Sequence, residues 1–130
     1  RLSNVYETDP IDIDSDRLFL NMAAELYLTD VKPTQMMARL LRIEYLMGRG
    51  DKGAKRPRTI DLDVLFYGET VMETQFLVLP HPRLHLRKFV LCPLAEIAPH
   101  FVHPVLKKDI GELLAECADT TCVTKWEPSL

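Results

Sequence analysis

Asp61 and Asp63 stand two residues apart in an otherwise apolar, β-rich run, Thr59-Ile-Asp-Leu-Asp-Val-Leu-Phe-Tyr67. Residues i and i+2 of a strand share a face, which puts these carboxylates roughly 6.5–7 Å apart at their Cα atoms. Ile60, Leu62, Val64 and Phe66 then form an apolar row on the opposite, core-facing side. Two like charges on one face need counter-charge. Mg²⁺ fits that need, because it takes one or two carboxylates and completes its octahedron with water and phosphate oxygens. Paired carboxylates also suit two-metal phosphoryl or nucleotidyl transfer. The plain alternative is a solvent-facing strand edge whose acids pair with Arg56 or Arg58.

The segment leading into this run is basic. Arg49-Gly-Asp-Lys-Gly-Ala-Lys-Arg-Pro-Arg58 holds five basic residues, two glycines and a proline, the composition of a loop. Net charge over the whole chain is only −3. It divides into −5 over residues 1–31, +6 over 32–58 and −4 over 59–130. A concentrated basic loop in an acidic chain suits a phosphate clamp, since the planar fork of Arg matches phosphate oxygens. The bland reading is a solvated charged face. Further on, His81 precedes Pro82, a residue that opens helices, so an anion site at a helix N-terminus is expected there. Zinc is not expected at His81 and His85, or at His100 and His103, because no third soft ligand stands at a suitable spacing.

Positioning these residues requires a core, and 130 residues with 47% hydrophobic content suffice for one domain. No apolar run approaches a membrane span, and the charge balance does not suit a basic nucleic-acid module. Cys92, Cys117 and Cys122 form an odd set without a C-x-x-C pair, which points to a reducing cytoplasm, with Cys92 a buried, inert thiol. Alternation predicts a strand over Leu2–Thr8, followed past Asp9-Pro10 by an acidic loop, and a second strand over Phe19–Leu28. Pro33 opens a helix to Met47, with Met36, Met37, Leu40, Leu41, Glu44 and Met47 at helical spacing as a core-packing stripe and Gly48 at its end. The strand Thr59–Tyr67 is expected to turn at Gly68-Glu69 and return over Thr70–Met72. A helix over Pro82–Ile97, a short one over Ile110–Ala118 and a last strand over Thr121–Trp126 follow. That order suggests an α+β fold with an antiparallel sheet.

Two stretches carry a family resemblance: Arg58-Thr-Ile-Asp-Leu-Asp63 and Pro80-His-Pro-Arg-Leu-His-Leu-Arg-Lys-Phe-Val-Leu-Cys-Pro-Leu-Ala-Glu-Ile-Ala-Pro99. The chain resembles the 6-hydroxymethyl-7,8-dihydropterin pyrophosphokinases of folate biosynthesis from about Leu2 to its end. The resemblance implies a ferredoxin-like antiparallel sheet with helices packed on it. It also implies transfer of pyrophosphate from ATP, with two Mg²⁺ ions, to the hydroxymethyl oxygen of the pterin, releasing AMP. Asp61 and Asp63 match the metal-binding pair, and Arg49 and Arg58 match arginines that serve the phosphates and turnover. His81 and Arg87 match ATP contacts, and Glu44 a position on the adenine side. Phe19 and Phe89 match the aromatic walls of the pterin slot. Asn21 matches the amide that reads the ring, and Thr8 lies in the segment whose backbone reads it.

The chain departs from the family pattern in four places. The opening strand and its Gly-Ser-Asn loop do not precede Arg1, so residues 1–130 are expected to be this domain truncated at its N-terminus. The usual loop tryptophan is replaced near Lys55 or Arg56, Asp9-Pro10 stands for a proline pair, and Leu41 for a glutamine. Expected partners are the small-molecule substrates, with neither nucleic acid nor membrane, in a monomer or weak dimer. The alternative is a catalytically impaired pterin- or nucleotide-binding domain. A ferredoxin-like RNA-binding module ranks lower, because the sheet offers paired acids rather than a basic or aromatic face.

Overall fold

Short alternating runs and proline-led amphipathic stretches form the elements. In chain order these are β1 (Tyr6–Thr8), β2 (Phe19–Asn21), α1 (Pro33–Glu44), β3 (Met72–Glu73), β4 (Val78–Leu79), α2 (Lys88–Ile97), α3 (Ile110–Glu116) and β5 (Val123–Lys125). The computed structural model describes residues 1–8, 19–49 and 60–128, so the acidic loop and the basic loop beyond Arg49 lie outside the described residues. Two compact units result: Arg1–Tyr27 together with Pro82–Leu130, and Leu28–His81.

In the first unit the strands form an antiparallel sheet in the order β2-β1-β5, with α2 packed on all three and α3 packed on α2. The antiparallel α+β architecture expected from the sequence is thus present. Tyr6 pairs with Asn21 and Lys125, and Thr8 with Phe19 and Val123. Directly opposed residues point to one face, and that face is the helix side, since the Tyr6 hydroxyl donates to Glu96 of α2 at 2.8 Å. Glu96 also accepts from the Asn4 backbone N–H at 2.7 Å and from its amide Nδ2 at 2.9 Å. Leu84, Leu91 and Ile110 are wholly buried, and Leu94, Ile97 and Leu113 extend the core. At about 1.5–3 kcal/mol per buried leucine-sized side chain, this cluster dominates the stability of the unit.

Most expected elements are shorter than predicted, two of them for a visible reason. The strand over Phe19–Leu28 is regular only to Asn21, because one extra residue in the opposing chain creates a bulge before the Leu2–Ala24 bridge. Ser3 mends the gap, its Oγ accepting the Ala23 N–H at 2.8 Å. The helix over Pro82–Ile97 is divided into a 3₁₀ turn, Leu84–Leu86, and α2, with Arg87 extended between them at φ −120° and ψ 107°. A continuous helix would send the Lys88 N–H to the Leu84 carbonyl. Instead that N–H goes to the Asp119 carboxylate at 3.0 Å, and Leu84 takes the Arg87 N–H at 3.4 Å.

The second unit begins with α1, opened by Pro33 and by Gln35, whose Oε1 accepts the Lys32 N–H at 2.8 Å. Regular α-helix ends at Glu44, earlier than expected, and a wide turn over Tyr45–Arg49 follows. Gly48 closes it at φ 119°, a backbone state that favours glycine. Gly68, at φ 56°, makes the predicted turn, with the Thr70 N–H reaching the Tyr67 carbonyl at 3.0 Å. The chain then pairs forward rather than back: β3 pairs with β4, and the Thr74 hydroxyl between them accepts the Phe76 and Leu77 N–H groups. Among the described residues no strand pairs with 60–67, although its burial alternates from Ile60 to Val64 as a strand would.

Candidate functional site

In the second unit the acidic pair is positioned, among the described residues, by a side chain instead of a ladder. Pro33, Met36, Met37, Leu40 and Glu44 mark one stripe of α1, and Glu44 is its most buried member at 4% exposure. A buried carboxylate must be hydrogen-bonded to be tolerated. Glu44 accepts the Leu62 N–H at 2.7 Å. That bond anchors the residue between the two aspartates, and both aspartates remain exposed on either side of it. A second anchor lies further along, where the His81 N–H donates to the Leu65 carbonyl at 2.9 Å. The Tyr67 hydroxyl donates to the Val31 carbonyl, tying the same segment to the approach to α1. His81 is not at a helix start as expected, because Pro82 begins only a turn. The Arg49 backbone closes the wide turn after α1, while Arg58 lies outside the described residues.

Among the described residues, no three His, Cys, Asp or Glu side chains converge as a closed metal cage would need. An Mg²⁺ that retains water and shares phosphate oxygens needs only one or two carboxylates, and exposed Asp61 and Asp63 are of the type it would take. The residues present therefore fit that ion.

The first unit collects the other candidates. Thr8, Phe19 and Asn21 share the sheet face that α2 covers, with Thr8 directly opposite Phe19. Phe19 is 58% exposed, whereas Thr8 is buried and its Oγ1 has no hydrogen-bond partner among the described residues. A buried hydroxyl in that state is short of about 1–3 kcal/mol of hydrogen bonding, which a ligand's polar edge can restore. Arg87 and Phe89 flank the start of α2, with the guanidinium carbon 5.7 Å from the ring centroid. That spacing is a cation–π contact. The structure thus brings Thr8, Phe19, Asn21, Arg87 and Phe89 together in one unit, and Glu44, Asp61, Asp63 and His81 in the other.

Two residues were missed in the sequence. Glu96 is the single charged side chain between Phe89 and Ile97, and that isolation was its one local signal. Asp119 sits in a turn, its Oδ1 accepting the Thr121 N–H at 2.9 Å, a signal in itself, but its reach to Lys88 has no local trace. Hydrogen bonds from Asn4 and Tyr6 hold the Glu96 carboxyl below its usual range. Burial and the bond to Glu96 push the Tyr6 phenol up to about 12, so it stays a donor. Cys92 is half-buried rather than buried as expected, and burial pushes its thiol up.

Residues 1–99 match the family model described as 7,8-dihydro-6-hydroxymethylpterin-pyrophosphokinase, and every candidate site residue falls within that span. The chain is 42% identical over 97 residues to the 2-amino-4-hydroxy-6-hydroxymethyldihydropteridine pyrophosphokinase of Bacillus subtilis, covering 75% of this chain and 58% of that protein. With the Aquifex aeolicus protein of the same name it shares 33% identity over 116 residues, covering 89% of this chain and 72% of that one. It is 35% identical over 119 residues to the folic acid synthesis protein fol1 of Pneumocystis carinii, covering 92% of this chain and 16% of that protein. The chain therefore spans a little over half of the Bacillus relative and a small part of the Pneumocystis one.

Proposed function

The chain belongs to the 7,8-dihydro-6-hydroxymethylpterin-pyrophosphokinase family, and on that premise we propose that it transfers pyrophosphate from Mg·ATP to 6-hydroxymethyl-7,8-dihydropterin in folate biosynthesis. The hydroxymethyl oxygen attacks the β-phosphorus of ATP. The α–β bridging P–O bond breaks on the opposite side, AMP departs, and the hydroxyl proton passes to solvent. Such a transfer needs in-line positioning and charge neutralisation more than covalent help.

The observation that carries the reading is the pair Asp61 and Asp63, both exposed, with the backbone between them anchored by buried Glu44. These two aspartates would hold Mg²⁺, which when bound neutralises phosphate charge. Arg49 and Arg58 serve the phosphates, and His81 and Arg87 contact the nucleotide, with Glu44 towards its adenine side. Phe19 and Phe89 stack on the pterin, a use suited to flat rings that need fixed walls. Asn21 offers the ring both a donor and an acceptor, and the segment of Thr8 reads the remaining polar edge. The Thr8 hydroxyl, without a partner among the described residues, supports a polar ligand there.

Three free cysteines support a reducing cytoplasm as the place of action. Among the described residues no helix is long and apolar enough to cross a membrane. The working form we propose is a monomer or weak dimer. Incubation with Mg·ATP and the reduced hydroxymethylpterin is expected to give AMP and the pterin diphosphate in equal amounts. Hydrolysis of ATP without a pterin product, or no AMP at all, would overturn the assignment.

A further inference from the structure

Helices α2 and α3 start in opposite ways. Asp109 caps α3 from its own N-terminus, accepting the Glu112 N–H at 2.8 Å, while Glu112 reaches back to the Asp109 N–H. Arg87, at the corresponding position of α2, gives no side-chain cap, and the first turn of α2 holds no acid. A helix start leaves N–H groups without partners, and a carboxylate placed there satisfies one and complements the helix dipole. Asp119 does this from 31 residues away, Oδ2 accepting the Lys88 N–H at 3.0 Å. Its other oxygen is held by the Thr121 N–H at 2.9 Å, so the carboxylate is oriented before it meets the helix. These backbone bonds hold its carboxyl below the usual range, as expected for an acid that works ionised.

The consequence falls on two neighbours. Lys88 lies between Arg87 and Phe89, and Arg87 is the extended residue that joins the 3₁₀ turn to α2. Diverting the Lys88 N–H from Leu84 decides where the α-helix begins, and so in which directions Arg87 and Phe89 leave the backbone. Asp119 also lies beyond the 1–99 span that matches the family model.

We propose that Asp119 is a positioning residue for the reaction: it sets the start of α2 and thereby places Arg87 for the nucleotide and Phe89 for the pterin. The proposal rests on the functional reading above, and its test separates the two. Asp119→Ala and Asp119→Asn are prepared in the full chain, with Glu116→Gln as a control that breaks the exposed Lys108–Glu116 pair of α3. Amide exchange at Lys88, measured without ligand, should accelerate about tenfold or more in Asp119→Ala and stay unchanged in the control. The KM for the pterin should rise about tenfold in Asp119→Ala with a smaller fall in kcat. Asp119→Asn, which keeps an acceptor oxygen and is an equally good cap, should recover most of both. A folded Asp119→Ala variant with parental Lys88 exchange, or with parental KM, would overturn the proposal. If the parent makes no AMP, the functional reading fails, and Lys88 exchange still decides whether Asp119 holds the helix.

Discussion

The two units hold their candidate residues by different means. In the sheet unit, Thr8, Phe19 and Asn21 stand on paired strands, and Glu96 of α2 takes one hydrogen bond from Tyr6 of β1 and two from Asn4 just before it, above a core of Leu84, Leu91 and Ile110. In the Leu28–His81 unit, the aspartate segment is held, among the described residues, by the buried Glu44 carboxylate, the His81–Leu65 backbone bond and the Tyr67 hydroxyl on the Val31 carbonyl, and the buried leucines there are Leu77 and Leu79. The difference follows the kinds of ligand proposed. A flat heterocycle held by stacking needs walls fixed to fractions of an ångström, which a hydrogen-bonded sheet and helix provide. Phosphates are held by charge, which acts over several ångströms and tolerates a segment pinned at a few points. In the function proposed, the pterin walls thus fall on the cooperative unit and the metal-binding pair on the lightly anchored one, with Arg87 the cationic exception on the sheet side.

The largest expected effect tests the charge side. Asp61→Asn should lower kcat about 10²–10³-fold, the scale of losing one preorganised electrostatic partner, while stability changes by less than about 0.5 kcal/mol because the residue is exposed. Steady-state kinetics over an Mg²⁺ series, with a thermal melt, would check both; an unchanged kcat breaks the comparison at its base. Glu44 should behave differently. Glu44→Ala leaves the Leu62 N–H without its acceptor and should cost about 1.5–3 kcal/mol of stability with roughly a tenfold loss of kcat. Glu44→Gln, retaining an oxygen, should restore most of the stability, as urea titration can show. On the shape side, Phe89→Ala should raise the pterin KM about three- to tenfold with little change in kcat, the scale of a lost aromatic stack. A loss of kcat as large as that of Asp61→Asn would mean that the helix start carries charge chemistry too.

How much of this was legible in the sequence depends on the range of each bond. The start of α1 at Pro33, the inward side of Met36, Met37, Leu40 and Glu44, and the positive φ of Gly48 were readable, because proline, period and glycine act within a turn, whereas Leu41 and Met47, expected on the same stripe, are exposed. The exposure of Asp61 and Asp63 followed from alternation alone. The interruption at Arg87 did not, since the partner that diverts the Lys88 N–H lies 31 residues on. The bonds from Glu96 to Asn4 and Tyr6 span 92 and 90 residues and leave no local trace. The hairpin was expected one turn too early: Gly68-Glu69 is the stronger turn signal, yet a threonine hydroxyl, Thr74, closes the loop that pairs. Residues around the acidic pair were thus easier to find than those that hold the pair in place.

The smallest expected effect concerns acid, and it belongs to the sheet unit. His103 is buried, and its Nδ1 accepts the Val105 and Leu106 N–H groups at 3.1 and 3.0 Å, so the neutral ring carries its proton on Nε2. Its Nδ1 cannot take a proton without giving up both bonds. The His85 ring meets it edge-on at 6.4 Å between centroids. Burial first, and the neighbouring His85 second, push the His103 pKa below its ordinary value of 6.5. A group with a lowered folded pKa gives its full stabilisation above the unfolded pKa and loses it as pH falls towards the folded one. Stability should therefore begin to fall below pH 6.5. Glu96 and Asp119, also lowered, add their losses only in the carboxylate range at about pH 4 and below. Urea midpoints measured from about pH 7.5 to about pH 5 should decline, and His103→Gln, which keeps an acceptor but does not titrate, should flatten the decline. A flat profile in the parent would show that protonation of His103 is absorbed without unfolding the Phe101–Asp109 turn. The sheet unit would then be less tightly interlocked than its hydrogen bonds indicate, and the contrast with the acidic segment would narrow.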